Sequence, residues 1–205
     1  GFPLTHTNNG WLNLDGNTYV QASKSSVFDF GTGSFSVDGW MKTDVKASEN
    51  IVYLGSDAAG RAVIYINGSG QLLFYLDESV GGSDSLITTT NATWCDGSWH
   101  HFACICNRDN VVHIQQVFKD GVLIAQENDL ISGGILATDT FDFSSVAINI
   151  GQHEEGHSYF SGSVDEIRIY NRALDESGIL NTALDDANLT TSATKEVLKN
   201  YKHGK

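Results

Sequence analysis

The sequence predicts an all-β chain, an antiparallel β-sandwich closed by short C-terminal helices, and three observations carry that prediction. Apolar and polar residues alternate over much of the chain, the period of a half-buried strand rather than of a helix. Turn chemistry separates the alternating runs: 21 glycines and abundant Ser, Thr, Asn and Asp stand against a single proline, Pro3. With 205 residues, 40% of them hydrophobic, the chain can bury a sizeable core and suits one large β domain better than two small ones.

Residues 1–10 are expected to form an N-terminal extension and residues 11–205 the domain. In the strand over 33–42, Phe35, Val37, Gly39 and Met41 share one face, and Ser36, Asp38, Trp40 and Lys42 share the other. Ala62–Ile66 and Gln71–Asp77 flank Asn67-Gly68-Ser69-Gly70, a hairpin signal. Gly81–Thr90, rich in Gly, Ser and Thr, reads as a surface loop running into a strand. Trp99 with His101 alternates against His100 with Phe102, and Cys104 and Cys106 share one face of one strand. Val111–Lys119 turns at Asp120-Gly121 into Val122–Gln126. Ser145–Gly151 places Val146, Ile148 and Ile150 on one face.

The closing strand follows the turn before Ser163. Period-two alternation puts Asp165, Ile167 and Ile169 on one face and Glu166, Arg168 and Tyr170 on the other. Ile167 and Ile169 are expected in the core, and a carboxylate in phase with them requires a cation or a hydrogen-bonding partner. The helices are expected at Asp175–Leu184 and at Ser192–Tyr201, within a locally basic ending.

Four stretches then point to a family. Ser158-Tyr-Phe-Ser-Gly-Ser-Val-Asp-Glu-Ile-Arg-Ile-Tyr-Asn-Arg-Ala-Leu174 resembles the last strand of laminin-G-like (concanavalin A-like) jelly-roll domains. Leu14-Asp-Gly-Asn-Thr-Tyr-Val20 resembles their opening strand, and Gly33-Ser-Phe-Ser-Val-Asp-Gly-Trp-Met-Lys42 the strand that follows. Gly97-Ser-Trp-His-His-Phe102, with Phe118-Lys-Asp-Gly121, resembles their Gly-x-Trp-His-His and Tyr-x-Asp-Gly pair. The resemblance implies a jelly roll, and with it a non-catalytic carbohydrate-binding lectin or cell-adhesion module. It is nearly silent on ligand.

The resemblance also implies calcium, in two places. In pentraxins, relatives by fold, the loop before the equivalent strand holds ligand-bridging calcium. Here that loop is Gln152–His157, where Glu154 and Glu155 stand beside His153 and His157, with Asp57 a further donor; the other reading is a solvated acidic loop. In related sandwiches an Asp matching Asp165 joins backbone carbonyls near the first strand around a structural calcium, and Asp15 and Gly16 occupy the matching region here. The other reading is that Asp165 accepts backbone N–H bonds.

Sugar binding calls for an aromatic face and nearby amide or carboxylate groups. If the Phe35 face is core, Asp38 and Trp40 lie on an outer sheet surface and meet that need. The alternative is that Trp40 packs beneath the C-terminal helix or a loop. The chemistry of other functions is missing. His153-Glu154-Glu155-Gly156-His157 has the His-Glu-x-x-His spacing of zinc proteases, but it lies between strands and Gly156 interrupts any helix. The Glu-x-Asp-x-x-Glu strand of the related glucanases occurs nowhere. No recognised spacing pairs a nucleophile with His100 or His101.

A net charge of −13 repels phosphate backbones, so nucleic acid is a poor partner. No apolar run reaches the length of a membrane span, and Gly1-Phe-Pro-Leu4 lacks the features of a leader peptide. Cys95, Cys104 and Cys106 leave at least one thiol unpaired within the chain; a bridge from Cys95 to either of the others stays open. The expected partner is a glycan or a cell-surface or assembly protein, and the expected location is extracellular or on the surface of a cell or virion. The second reading is a structural or decoration protein of a larger assembly, such as a phage, a virus or a filament. The third is a glycoside hydrolase or lyase lacking its usual motif.

Overall fold

The computed structural model describes residues 10–58, 60–77, 84–90, 93–109, 113–128 and 139–186. Within them the chain builds two six-stranded antiparallel sheets. The first runs in the order β1 (Leu12–Asp15), β14 (Ser161–Tyr170), β4 (Phe35–Lys42), β9 (His100–Asn107), β10 (Ile114–Lys119), β11 (Val122–Asn128). The second runs β2 (Val20–Ala22), β13 (Ile148–Ile150), β5 (Glu49–Ser56), β6 (Gly60–Ile66), β7 (Leu72–Asp77), β8 (Asp84–Thr88). A small pair, β3 (Asp29–Gly31) with β12 (Phe141–Asp142), lies beside them. One helix, α1 (Glu176–Asp186), follows β14. The expected helix at Ser192–Tyr201 and nearly all of the expected N-terminal extension lie outside the described residues.

Alternation decides which residues face inward. Phe35, Val37 and Met41 of β4, Cys104 and Cys106 of β9, Ala62, Ile64 and Ile66 of β6, and Leu72, Phe74 and Leu76 of β7 form one core between the sheets. At one end Phe30, Phe35, Phe141 and Phe143 pack ring against ring, with Phe30 and Phe35 stacked at 5.0 Å. All three cysteines are free, so the bridge left open for Cys95 is not made, and Cys104 and Cys106 serve as small apolar groups.

Turn chemistry sets the hairpins. Asn67 uses its side-chain carbonyl to accept from the N–H groups of Ser69 and Gln71, closing the β6–β7 turn. At the β10–β11 turn Asp120 and Gly121 both have positive φ, the requirement of a tight I′-type connection. Asp120 then ties that hairpin to β9 by accepting from the His101 N–H and lying 3.0 Å from His100 Nδ1.

Three expected elements differ. The opening strand is two strands in different sheets, because Asp15 accepts from Asn17 and Thr18 and Gly16 turns the chain at φ +79°. The segment 145–151 contributes only Ile148–Ile150 as strand, although Val146, Ile148 and Ile150 do pack on the core. The closing strand changes phase in its middle. Asp165 pairs with Trp40 and Arg168 with Asp38, so β14 carries one extra residue, a bulge at which Glu166 takes φ +51°. Val164 points inward before the bulge, and Ile167 and Ile169 pack on the core after it. Asp165 is therefore out of phase with the isoleucines, and its Oδ1 accepts from the Glu166 N–H.

Asp175 caps α1 by accepting from the Gly178 N–H at 2.7 Å, and Ile179, Leu180, Ala183 and Leu184 form its buried stripe. Leu174 and Ile179 close over Ala103, Ile105 and Phe118, on the outer face of β9 and β10. Ser36 pins this segment to β4 by donating to the Arg172 carbonyl and accepting from the Leu174 N–H.

Glu49, buried at the start of β5, supplies a pH test. Its Oε2 accepts from the Ser161 N–H at 3.0 Å, but burial outweighs that bond and pushes its carboxyl above the ordinary value of 4.5. The folded state therefore holds the proton more tightly than the unfolded chain, and Glu49 weakens folding above its raised pKa, an effect that fades as pH falls towards 4.5. Glu49→Gln keeps an acceptor and removes the charge. It is expected to raise the melting temperature at pH 7 and to converge with the parent near pH 4. Exposed Glu127→Gln is the control for overall charge, and equal shifts in the two variants would sink the assignment.

Candidate functional site

The same alternation that fills the core equips the outer face of β5, β6 and β7. Inward Ala62, Ile64 and Ile66 leave Arg61, Val63 and Tyr65 outward, and inward Leu72, Phe74 and Leu76 leave Leu73, Tyr75 and Asp77 outward. Strand register aligns them crosswise: Tyr53 pairs with Val63, which pairs with Tyr75, and Arg61 pairs with Asp77. A bulge in β5 between Asn50 and Val52 lets Ile51 and Val52 both reach the core while Asn50 stays opposite Tyr65. The result is a groove of about 320 Å³ lined by Asn50, Tyr53, Arg61, Tyr65, Tyr75 and His153, with Ser48, Val63, Leu86 and Ser158.

Arg61 organises one end. It binds the Asp57 carboxylate, its Nε lies 3.3 Å from Asp77 Oδ2, and its guanidinium sits 5.1 Å above the Tyr75 ring. Asp57 also accepts from the Tyr53 hydroxyl and lies 3.6 Å from His153 Nε2. Burial works against the Asp57 carboxylate, but Tyr53, Arg61 and His153 together hold it below the usual carboxylate range. Burial pushes the His153 imidazole below its ordinary value, and its ring meets Tyr53 edge to face at 4.7 Å. Tyr65 is half-buried, and burial raises its phenol.

Among the residues singled out from sequence, Asp57 and His153 thus meet at this groove. Glu154 joins them by accepting from the Asp57 N–H, while Glu155 and His157 stand exposed on the adjoining turn. Arg61, Tyr65 and Tyr75 were not singled out, although the alternation of their strands carries the signal.

Asp38 and Trp40 do not form a sugar-binding surface. Both face outward as expected, but both are 0% exposed. Trp40 meets His101 edge to face at 5.4 Å, and Asp38 lies 3.7 Å from His101 Nε2 and 3.9 Å from Arg168 Nη1. On the neighbouring strands of this face, the α1 segment has taken the place of solvent.

Asp15 and Asp165 do not converge either. Asp15 pairs with Ser161 and Leu12 with Val164, so the backbones of Asp15 and Asp165 sit four residues apart along the sheet, roughly 13 Å. The loop also fits calcium poorly. Glu154 and Asp57 already accept protein donors, and His153 offers nitrogen where calcium takes oxygen.

Two antiparallel sheets packed face to face, with an aromatic and polar groove on one outer face, define a jelly-roll β-sandwich. The chain belongs to the laminin-G-like family of the concanavalin A-like lectin/glucanases superfamily, whose family model matches residues 14–180. No curated protein matches it in sequence. Among solved structures it is similar to the CBM40 of the Ruminococcus gnavus IT-sialidase bound to α2,3 sialyllactose, with TM-score 0.60 and 13% identity over 80% of this chain and 98% of that one. The botulinum neurotoxin serotype G binding domain gives TM-score 0.64 and 16% identity over 87% of this chain and 42% of that one. Domain 4 of AbnA, an extracellular arabinanase from Geobacillus stearothermophilus solved with arabinotriose, gives TM-score 0.61 and 17% identity, covering 87% and 79%. At these identities the likeness is one of fold. No described helix is long and apolar enough to cross a membrane.

Proposed function

We propose that the protein is a non-catalytic glycan-binding module of the cell or particle surface that takes a neutral oligosaccharide in the β5–β7 groove. The carrying observation is the groove's composition: a half-buried tyrosine platform beside an amide, hydroxyls and an imidazole, the groups that stack on sugar C–H faces and bond sugar hydroxyls. Solved domains of this fold hold sialyllactose and arabinotriose, which supports a glycan as the ligand class.

Charge argues for a neutral sugar. Arg61, the cation of the groove, is already balanced by Asp57 and Asp77, with Glu154 adjoining, in a chain of net charge −13. A sialic acid carboxylate would have to displace one of those pairs and face the other. The same pairing supports a non-catalytic role, since glycosidase chemistry needs an acid and a nucleophile or base free to act.

An array carrying matched neutral and sialylated glycans tests this. Binding to a neutral set, weakened by terminal sialylation, is expected. Exclusive capture of sialylated glycans would overturn the charge argument. A folded protein that binds neither would overturn the module itself.

A further inference from the structure

We propose that His153, Glu155 and His157 bind a transition-metal dication of the zinc class at the rim of the groove. The turn that holds them is tight. The His153 N–H donates to the His157 carbonyl at 3.0 Å, the Gly156 N–H donates to the His153 carbonyl at 3.1 Å, and Gly156 takes φ +76°. That geometry stacks the two imidazoles at 4.1 Å, and one ligand atom from each of the three residues lies within 4.8 Å of the other two.

The far nitrogens identify the ligand atoms. His153 Nε2 faces Asp57 Oδ1 at 3.6 Å, and His157 Nδ1 lies 2.9 Å from Ser158 Oγ. The Ser158 contact is an outer partner of the kind that fixes the ring of a metal-bound histidine, and Asp57 stands just beyond hydrogen-bond reach of the other ring, which leaves His153 Nδ1 and His157 Nε2 for the metal. His153 Nδ1 accepts from the Glu155 N–H at 3.2 Å, so it presents a lone pair, and a metal would take the place of that contact. Glu155 Oε2 is 3.6 Å from His157 Nε2; two ligands of a tetrahedral zinc stand about 3.4 Å apart. Each imidazole lone pair lies in its own ring plane, so the stacked rings, now 17° from parallel, must turn out of their stack to converge on one ion.

The donors choose the metal. Two imidazoles and one carboxylate suit zinc and its neighbours, whereas calcium seeks six to eight oxygens. Three protein ligands leave a position open to water or to a sugar hydroxyl, and His153 is shared between the metal turn and the groove. Glu154, the glutamate that a zinc-protease reading would make the base, is instead bonded to the Asp57 N–H.

The test is zinc(II) titration of the full chain, stripped with chelator, against a chromophoric competitor, with cobalt(II) absorption in parallel. One equivalent is expected, with no thiolate-to-cobalt charge transfer. His157→Ala and Glu155→Gln are each expected to weaken zinc at least about tenfold while circular dichroism stays unchanged. Cys95→Ser is expected to bind as the parent does. No saturable zinc binding by the folded chain, parental affinity in His157→Ala, loss in Cys95→Ser, or displacement of zinc by equimolar calcium would each overturn the proposal.

Discussion

Gly55→Ala is expected to lower stability by about 4 kcal/mol, roughly 12 °C in melting temperature for a chain of this size. Gly55 sits in β5 at φ +92°, where an L side chain is strained. A Cβ there would lie 2.1 Å from the Gly60 carbonyl oxygen and 2.8 Å from Arg61 Cα, both backbone of the paired strand β6. Backbone held in a ladder cannot step aside cheaply, so the β5–β6 pair must open. The displaced residue is Arg61, and glycan binding should fall together with stability. Gly68→Ala, in the β6–β7 turn, is the control, since nothing lies within 4 Å of its added carbon and it is expected to be near neutral. Thermal unfolding followed by circular dichroism decides the matter; a Gly55→Ala midpoint within 3 °C of the parent would remove the steric argument.

Tyr65→Ala is expected to weaken glycan binding by about 2 kcal/mol, roughly thirtyfold in Kd, while leaving the melting temperature almost unmoved. The ring stands on the outer face of β6, opposite Asn50 and Leu73 and outside the core. It is better placed for stacking than Tyr75, whose face is taken by the Arg61 guanidinium, or Tyr53, which is fully buried. Tyr65→Phe keeps the ring and should keep most of the affinity. Calorimetry with a neutral oligosaccharide found on the array measures both variants. Unchanged affinity in Tyr65→Ala would move the ligand elsewhere on the sheet.

The sandwich was legible because period-two alternation and turn residues act locally. Phe35, Val37 and Met41 are core, as are Ile148 and the two free thiols of β9, and Asp120-Gly121 and Asn67-Gly68-Ser69-Gly70 turn where their chemistry requires. The site was less legible, because it depends on distant parts of the chain. Alternation put Asp38 and Trp40 on the outer face, but their burial reflects tertiary packing that period two does not encode. Asp165 was put in phase with Ile167 because nothing in Val-Asp-Glu-Ile announces a left-handed glutamate; Glu166 adopts that conformation within the β14–β4 ladder. The His153–His157 stretch does lie between strands, β13 and β14, the setting that set it apart in sequence from the helical His-Glu-x-x-His motif. Its approach to Asp57 across 95 intervening residues depends on the second sheet.

The division of labour along β6 and β7 has an engineering consequence. Even positions there hold the sandwich together and odd positions line the outer face, so the two sets form nearly separate alphabets written on the same twelve residues, 61–66 and 72–77, that flank the turn. Positions 65, 75 and 86, which keep solvent contact, can be varied as a cassette while the inward residues and the buried Val63 and Leu73 stay fixed, which on the proposed reading makes this sheet a starting scaffold for libraries of altered sugar preference. Arg61 is the exception to hold constant, because its two carboxylate partners would otherwise repel each other across the face.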